Sequence, residues 1–100
     1  MIKHIVMWKL KDEAEGAGRE ANAREMKRRL DECANIVPGM LTFEVTIAQP
    51  GLEATYDVVL YSEFADKAAL EAYAGHPTHK AVAPFIGAIR EARQCMDYEV

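Results

Sequence analysis

The first ten residues carry large apolar side chains on both faces of what their composition predicts to be a β-strand. Residues 2–10 are rich in β-branched and aromatic types and contain neither glycine nor proline. Alternation divides the side chains between two faces, with His4, Val6, Trp8 and Leu10 on one and Ile5 and Met7 on the other. A strand that is apolar on both faces needs cover on both, so we expect helices on one side and a further layer on the other.

The rest of the chain supplies the remaining elements of a small α+β domain. The expected spans are a helix at 19–34, strands at 40–48 and 56–64, helices at 67–75 and 79–89, and a strand at 92–100. This order is βαββαβ with a broken second helix, which is the ferredoxin-like split βαβ plan. We therefore predict one domain over residues 1–100, with helices on one face of a four-stranded antiparallel sheet.

Turn and cap signals set the helix ends. Asn35 is a candidate C-cap for the first helix, and Pro38-Gly39 follows as a turn. Asp66 and Thr78 are candidate N-caps for the two later helices. Proline inside the last helix predicts a kink or a boundary near Ala83.

The sheet face away from the helices is expected to be apolar. Its predicted members are Ile5, Met7, Phe43, Val45, Val59, Tyr61 and Met96. Such a patch exceeds what a monomer usually exposes. A symmetric homodimer, sheet against sheet, covers it, and this arrangement is a dimeric α/β barrel.

Charge and cysteine content narrow the class of protein. The net charge of −4 argues against nucleic-acid binding, and no apolar run approaches the length of a membrane span. The patterned first strand begins without a long apolar run before it, so we expect no signal peptide, and Cys33 and Cys95 have no metal-type spacing. We expect reduced thiols in a cytoplasmic protein.

Chemistry-bearing side chains concentrate in one stretch. Tyr73, His76 and His79 fall within residues 73–79, and the only other histidine is His4. Imidazole is the side chain best suited to moving protons near neutral pH. The stretch lies between apolar segments, so it is a candidate site.

Structural roles compete with this interpretation. His76 precedes a proline and can cap the broken helix, and His79 can be an exposed residue of the first helical turn. Tyr73 can be a core residue with a satisfied hydroxyl. His4 can simply pair with Asp97, because the first and last strands are expected to be neighbours.

Several segments, taken in this order, resemble the stress-responsive dimeric α/β-barrel (Dabb) domain. They are Lys3–Glu13, Ile36–Met40, Tyr56-Asp57 with Ser62–Phe64, Leu70–Tyr73 with His76–His79, and Asp97–Val100. The resemblance covers essentially the whole chain and implies a dimeric ferredoxin-like barrel, in agreement with the residue pattern.

Within that family the chain is similar to polyketide cyclases of the olivetolic acid type, which close a linear polyketide without a cofactor. The resemblance implies that His79 and Tyr73 carry the chemistry and that His4 joins them. It implies a pocket for a small apolar keto or aromatic ligand lined by Val6, Trp8, Met26, Leu30, Leu60, Leu70, Val82, Phe85 and Asp97. Some plant members hold magnesium on carbonyls equivalent to those of Ala34, Val37 and Met40, but every sequence has carbonyls, so no metal is expected here.

Two functions remain open at this point. One is a cofactor-free lyase or cyclase that uses His79 as base and Tyr73 as donor. The other is a non-catalytic, stress-linked dimerisation or assembly module. A related monooxygenase or haem-binding role has only a single helical histidine in its favour. A pocket of a few hundred Å³ favours the enzyme, and a filled core favours the module.

Overall fold

Nine regular elements follow one another along the chain, and the computed structural model describes all 100 residues. They are β1 (Ile2–Leu10), β2 (Glu13–Ala14), β3 (Ala17–Gly18), α1 (Arg19–Asp31), β4 (Met40–Ile47), β5 (Val58–Phe64), α2 (Lys67–Gly75), α3 (Pro77–Ile89) and β6 (Arg90–Glu99). The four long strands form an antiparallel sheet in the order β4-β5-β1-β6. This confirms the predicted ferredoxin-like α+β fold.

The core lies between this sheet and the three helices. Val6, Trp8 and Leu10 project from β1 toward α1, where Met26 and Leu30 are buried against the sheet. Burying a side chain of this size contributes roughly 1.5–3 kcal/mol. The apolar stripe of β1 therefore fixes the helices over one face.

The face assignment of β4 is a correction to the sequence analysis. Phe43 and Val45 were expected on the outer face, but they pair with Ser62 and Leu60 and so share the helix-facing side. A register shift between Met40 and Thr42 accompanies this pairing. The outer face keeps five of the predicted apolar side chains, which are Ile5, Met7, Val59, Tyr61 and Met96.

Helix α1 ends earlier than expected, at Asp31 rather than at residue 34. The C-cap residue is Glu32, and Asn35 instead takes a left-handed conformation, φ 60°, in the turns beyond the helix. Gly39 has φ 87°, and a Cβ atom there would lie 2.9 Å from the Cβ of Ala69. The connection from α1 to β4 thus needs glycine at this position.

The predicted break between the later helices is confirmed, but its details differ. Helix α3 begins at Pro77 because His76, not Thr78, is its N-cap, and His76 Nδ1 accepts the backbone N–H of Thr78 at 3.1 Å. The structural role foreseen for His76 is therefore confirmed. No boundary occurs near Ala83, since α3 continues through Pro84 to Ile89.

Smaller differences concern the loop at residues 11–18 and the strand ends. That loop contains the short β2–β3 hairpin, which turns through positive φ values at Glu15 and Gly16. Strand β5 starts two residues later than expected and β6 two residues earlier. No helix combines the length and the apolar character that crossing a bilayer requires.

Candidate functional site

Three rings from three elements meet beside the core. β1 carries His4, α2 carries Tyr73 and the first turns of α3 carry His79. The Tyr73 ring lies centrally, with its centroid 4.7 Å from that of His79 and 6.3 Å from that of His4. Because the chain turns between α2 and α3, Tyr73 and His79 face each other although they are six positions apart.

His4 is held by a carboxylate. Its Nδ1 contacts Oδ1 of Asp97, the residue directly opposite on β6. An ionised carboxylate only accepts hydrogen bonds, so Nδ1 carries the proton in this pair. The ring is thereby fixed, and Nε2 of His4 is the nitrogen left for other contacts.

His79 has the properties of a neutral base. Its Nδ1 lies 3.1 Å from the carbonyl oxygen of Ala74, which can only accept, so Nδ1 donates and Nε2 bears the lone pair. Burial lowers the pKa of His79 from its usual 6.5, and the charges of His4 and Arg93 act in the same direction. The uncharged form therefore dominates at neutral pH.

Tyr73 presents a donor without an acceptor. The residue is 1% exposed, and its hydroxyl has no hydrogen-bond partner. Burial raises the pKa of Tyr73 above its usual 10, so the phenol stays protonated. A buried polar group without a partner is uncommon in folded proteins. An oxygen atom of a ligand would satisfy this hydroxyl.

Two adjacent cavities flank the rings. A cavity of about 240 Å³ and a second of about 330 Å³ share His4, Tyr73, His79 and Arg93 in their walls. The first volume is below the ~300–1,000 Å³ typical of sites for drug-sized ligands. The site therefore suits a small molecule.

The cavities contain most of the pocket residues expected from the sequence. The first is lined by Val6, Trp8, Leu30, Leu60 and Val82, and the second by Leu70 and Asp97. Met26 and Phe85 line neither cavity. Met26 is fully buried in the core, and the Phe85 ring lies 4.0 Å under the Arg29 guanidinium.

Further lining residues were not anticipated from the sequence. On α3 they are Ala83, Ile86 and Gly87, and on β6 they are Arg90 and Arg93. The α3 residues continue the helical spacing from Val82, so periodicity carried a signal for them. Arg93 lies two and four positions before Cys95 and Asp97, so strand alternation places all three on one face.

One group of side chains has the composition of a metal site. A ring nitrogen of His4, Cys95 Sγ and an Asp97 carboxylate oxygen lie within 4.8 Å of one another. Nitrogen, sulfur and oxygen together form a donor set that zinc accepts. The same Asp97 carboxylate contacts Nδ1 of His4 and orients its ring, as described above.

A larger cavity of about 500 Å³ lies elsewhere, beside the loop that joins β4 and β5. Its walls hold no histidine, and its Asp57 carboxylate accepts the backbone N–H of Leu10 at 2.7 Å. Volume alone does not identify the reactive site. The proton-transfer groups collect at the smaller cavities.

The sheet order and the one-sided helices define a ferredoxin-like α+β protein. The chain belongs to the stress responsive A/B barrel domain (Dabb) family, which matches residues 2–100. None of the curated protein sequences compared with the chain matches it.

Solved structures from three bacteria share this fold. A dimeric protein of unknown function from Bacteroides fragilis NCTC 9343 is 30% identical, with a TM-score of 0.80 over 99% of this chain and 95% of that one. A dimeric ferredoxin-like protein of unknown function from Jannaschia sp. CCS1 is also 30% identical, with a TM-score of 0.75 over 99% and 98%. A Dabb family protein from Mesorhizobium loti is 24% identical, with a TM-score of 0.73 over 99% and 95%.

Proposed function

We propose that this Dabb domain is a cofactor-free acid–base catalyst that acts on a small keto compound, in the manner of a lyase or cyclase. The observation that carries the proposal is the Tyr73 hydroxyl, a buried donor without a partner, on a residue that lines a cavity. The rings of His79 and His4 lie 4.7 and 6.3 Å from the Tyr73 ring, centroid to centroid. This set contains both a base and a donor for an oxygen that becomes anionic.

The reaction begins with transfer of a proton from carbon to nitrogen. Nε2 of His79 removes a proton from the carbon next to the ketone, and the Tyr73 hydroxyl donates to the carbonyl oxygen as it gains charge. The enolate carbon then attacks a second carbonyl and forms a carbon–carbon bond. The new alkoxide takes the proton back from His79, so protons and charges balance. Nε2 of His4 contacts a second polar group of the ligand.

The apolar walls support this chemistry. Val6, Leu60 and Val82 line the first cavity and limit the number of water molecules beside the reacting atoms. Hydrogen bonds to a developing negative charge are stronger where water is excluded. Neutral His79 and protonated Tyr73 are the forms that this step requires.

We also propose that two copies associate through the outer sheet face. Ile5, Val59 and Tyr61 form its centre, and Met7 and Met96 are exposed there. The relatives from Bacteroides fragilis and Jannaschia sp., at 30% identity, are described as dimeric. We propose a cytoplasmic location because Cys33 and Cys95 are free thiols.

The test uses Trp8, the only tryptophan, as a reporter because it lines the first cavity. Benzoylpropanoate, an aryl keto acid, should change the tryptophan emission on binding. Its protons next to the ketone should exchange in D₂O faster with the protein than without it, as followed by ¹H NMR. Replacing His79 with alanine should slow the catalysed exchange at least about a hundredfold, the contribution expected of a general base.

Two further variants complete the experiment. Tyr73→Phe should slow exchange about a hundredfold, as loss of an oxyanion donor does. His76→Asn is the matched control, because asparagine also caps helices and His76 does not line either cavity. Exchange that is equally fast in His79→Ala would refute the role of His79 as base.

The assembly module remains the second candidate, and the apolar outer face is the observation that favours it. A dimer that leaves the Trp8 emission and the exchange rate unchanged across a panel of small keto acids would support the module. The same result would end the enzymatic proposal.

A further inference from the structure

Two arginines at the wall of the first cavity have no ionic partner. Arg90 and Arg93 both line this cavity, and neither takes part in an ion pair or a side-chain hydrogen bond. Arg28 and Arg29 on α1, by contrast, are engaged by the Glu25 carboxylate. The guanidinium groups of Arg90 and Arg93 are therefore available to an anion from outside the chain.

The charge of the cavity wall is opposite in sign to that of the protein. The chain carries a net charge of −4, yet the wall of the first cavity contains two arginines and no aspartate or glutamate. Glu91, between the two arginines on β6, does not line this cavity, and the Asp97 carboxylate, which lines the adjacent cavity, contacts His4. Low-dielectric walls strengthen the field of such charges, which favours an anion over a cation in this cavity.

Arg93 starts from a position on β6 some distance from Asp97, although it lines both of the cavities that the three rings also line. Arg93 is opposite Trp8 in the β1–β6 pairing, whereas Asp97 is opposite His4. Four residues along a strand span roughly 14 Å, and long arginine side chains shorten this gap. A ligand with its charged group at Arg93 can therefore direct its other end toward His4, Tyr73 and His79.

We infer that the first cavity takes small keto acids, whose carboxylate binds Arg93 and Arg90 while the ketone reaches Tyr73 and His79. The inference rests on the proposed function and specifies its substrate class. Guanidinium groups match carboxylates with two parallel hydrogen bonds, which gives direction as well as affinity. The apolar walls between the two ends then receive the body of the ligand.

The test compares benzoylpropanoate with its uncharged amide, using Trp8 emission to measure both dissociation constants. The acid should bind the wild-type protein about tenfold more tightly than the amide, a modest value for an exposed charge-assisted contact. The ratio of the two dissociation constants, amide over acid, should fall close to one in Arg93→Gln. In Arg90→Gln the same ratio should fall by a smaller factor. Arg24→Gln removes the same charge from an exposed position of α1 outside this cavity and should leave the ratio unchanged.

The outcomes separate this inference from the proposed function. Equal affinity for acid and amide, with exchange that still depends on His79, would overturn the inference and leave the proposed function in place. A ratio that falls equally in the Arg93 and Arg24 variants would also overturn it, because the effect would then come from overall charge. No binding of either compound would count against both proposals.

Discussion

Replacing Tyr73 with phenylalanine removes one oxygen atom, and we expect the protein to become more stable and less active. The hydroxyl is buried without a partner, while the ring contacts those of Phe43, Phe64 and His79. Phenylalanine keeps the ring and its packing. Stability should therefore change only through the unpaired oxygen.

The magnitude follows from the cost of burying a hydroxyl. Mutational data place an unpaired hydroxyl at roughly 1–3 kcal/mol of lost stability. Tyr73 lines a cavity of about 240 Å³, and small movements of its ring into that space can ease this cost, so we take the lower end. We expect Tyr73→Phe to raise the free energy of unfolding by about 1 kcal/mol, or the melting temperature by roughly 4–8 °C.

Urea denaturation at equal protein concentration measures this change, because the concentration of a dimer affects its apparent stability. The m-value should stay constant while the midpoint rises. Tyr61→Phe is a control for which the expected change in stability has the opposite sign. The Tyr61 hydroxyl donates to Glu63 at 2.6 Å, and its loss should lower the denaturation midpoint slightly.

A less stable Tyr73→Phe protein would refute the reasoning. It would mean that the hydroxyl has a partner in solution, such as an ordered water or a shifted carbonyl. The main reason for placing a ligand oxygen at Tyr73 would then be lost, whatever the exchange rates show.

Three further predictions concern pH, the backbone and association. Folding lowers the pKa of His79 below 6.5, so the unfolded chain binds this proton more tightly than the folded protein does. The stability that neutral His79 contributes is therefore complete above pH 6.5 and is lost as the pH falls through the folded pKa. The rate of deuterium exchange should likewise fall below pH 6.5 in the wild-type protein, and this fall should be absent in His79→Ala. Gly39→Ala should lower the free energy of unfolding, measured by urea denaturation, by about 1–3 kcal/mol, because φ is 87° and the new Cβ lies 2.9 Å from that of Ala69. Gly51→Ala is the control: it has the same backbone strain without this contact, so it should lower the free energy of unfolding by less. Val59→Lys should shift the protein to the monomer mass in analytical ultracentrifugation, and a variant that remains dimeric would place the interface elsewhere.

The order of elements could be predicted because each carries its own periodicity. The break at His76 could also be predicted, since proline restricts the residue before it. The side of the sheet on which Phe43 and Val45 lie could not. The register of β4 depends on a local shift near Met40, and a one-residue slip exchanges the faces of a strand.

The histidine and tyrosine residues of the candidate site could be predicted from the sequence, whereas the arginines at its edge could not. Histidine and tyrosine draw attention by their chemistry, so His79 and Tyr73 could be singled out before any geometry was known. Arg93 gave no such signal, because an arginine on a strand is usually solvated. Its position became meaningful only when the pairing of β1 with β6 placed it beside Trp8.

The position of β6 has a consequence for how such a domain can diversify. β6 is an edge strand, and nearly all of its residues are exposed, including those at 93, 95 and 97. Substitutions at exposed positions usually change stability by less than about 0.5 kcal/mol. Tyr73, in contrast, is enclosed by core rings. The charged residues of β6 at the border of the candidate site can therefore change with little cost to folding, whereas a change at Tyr73 alters the core itself.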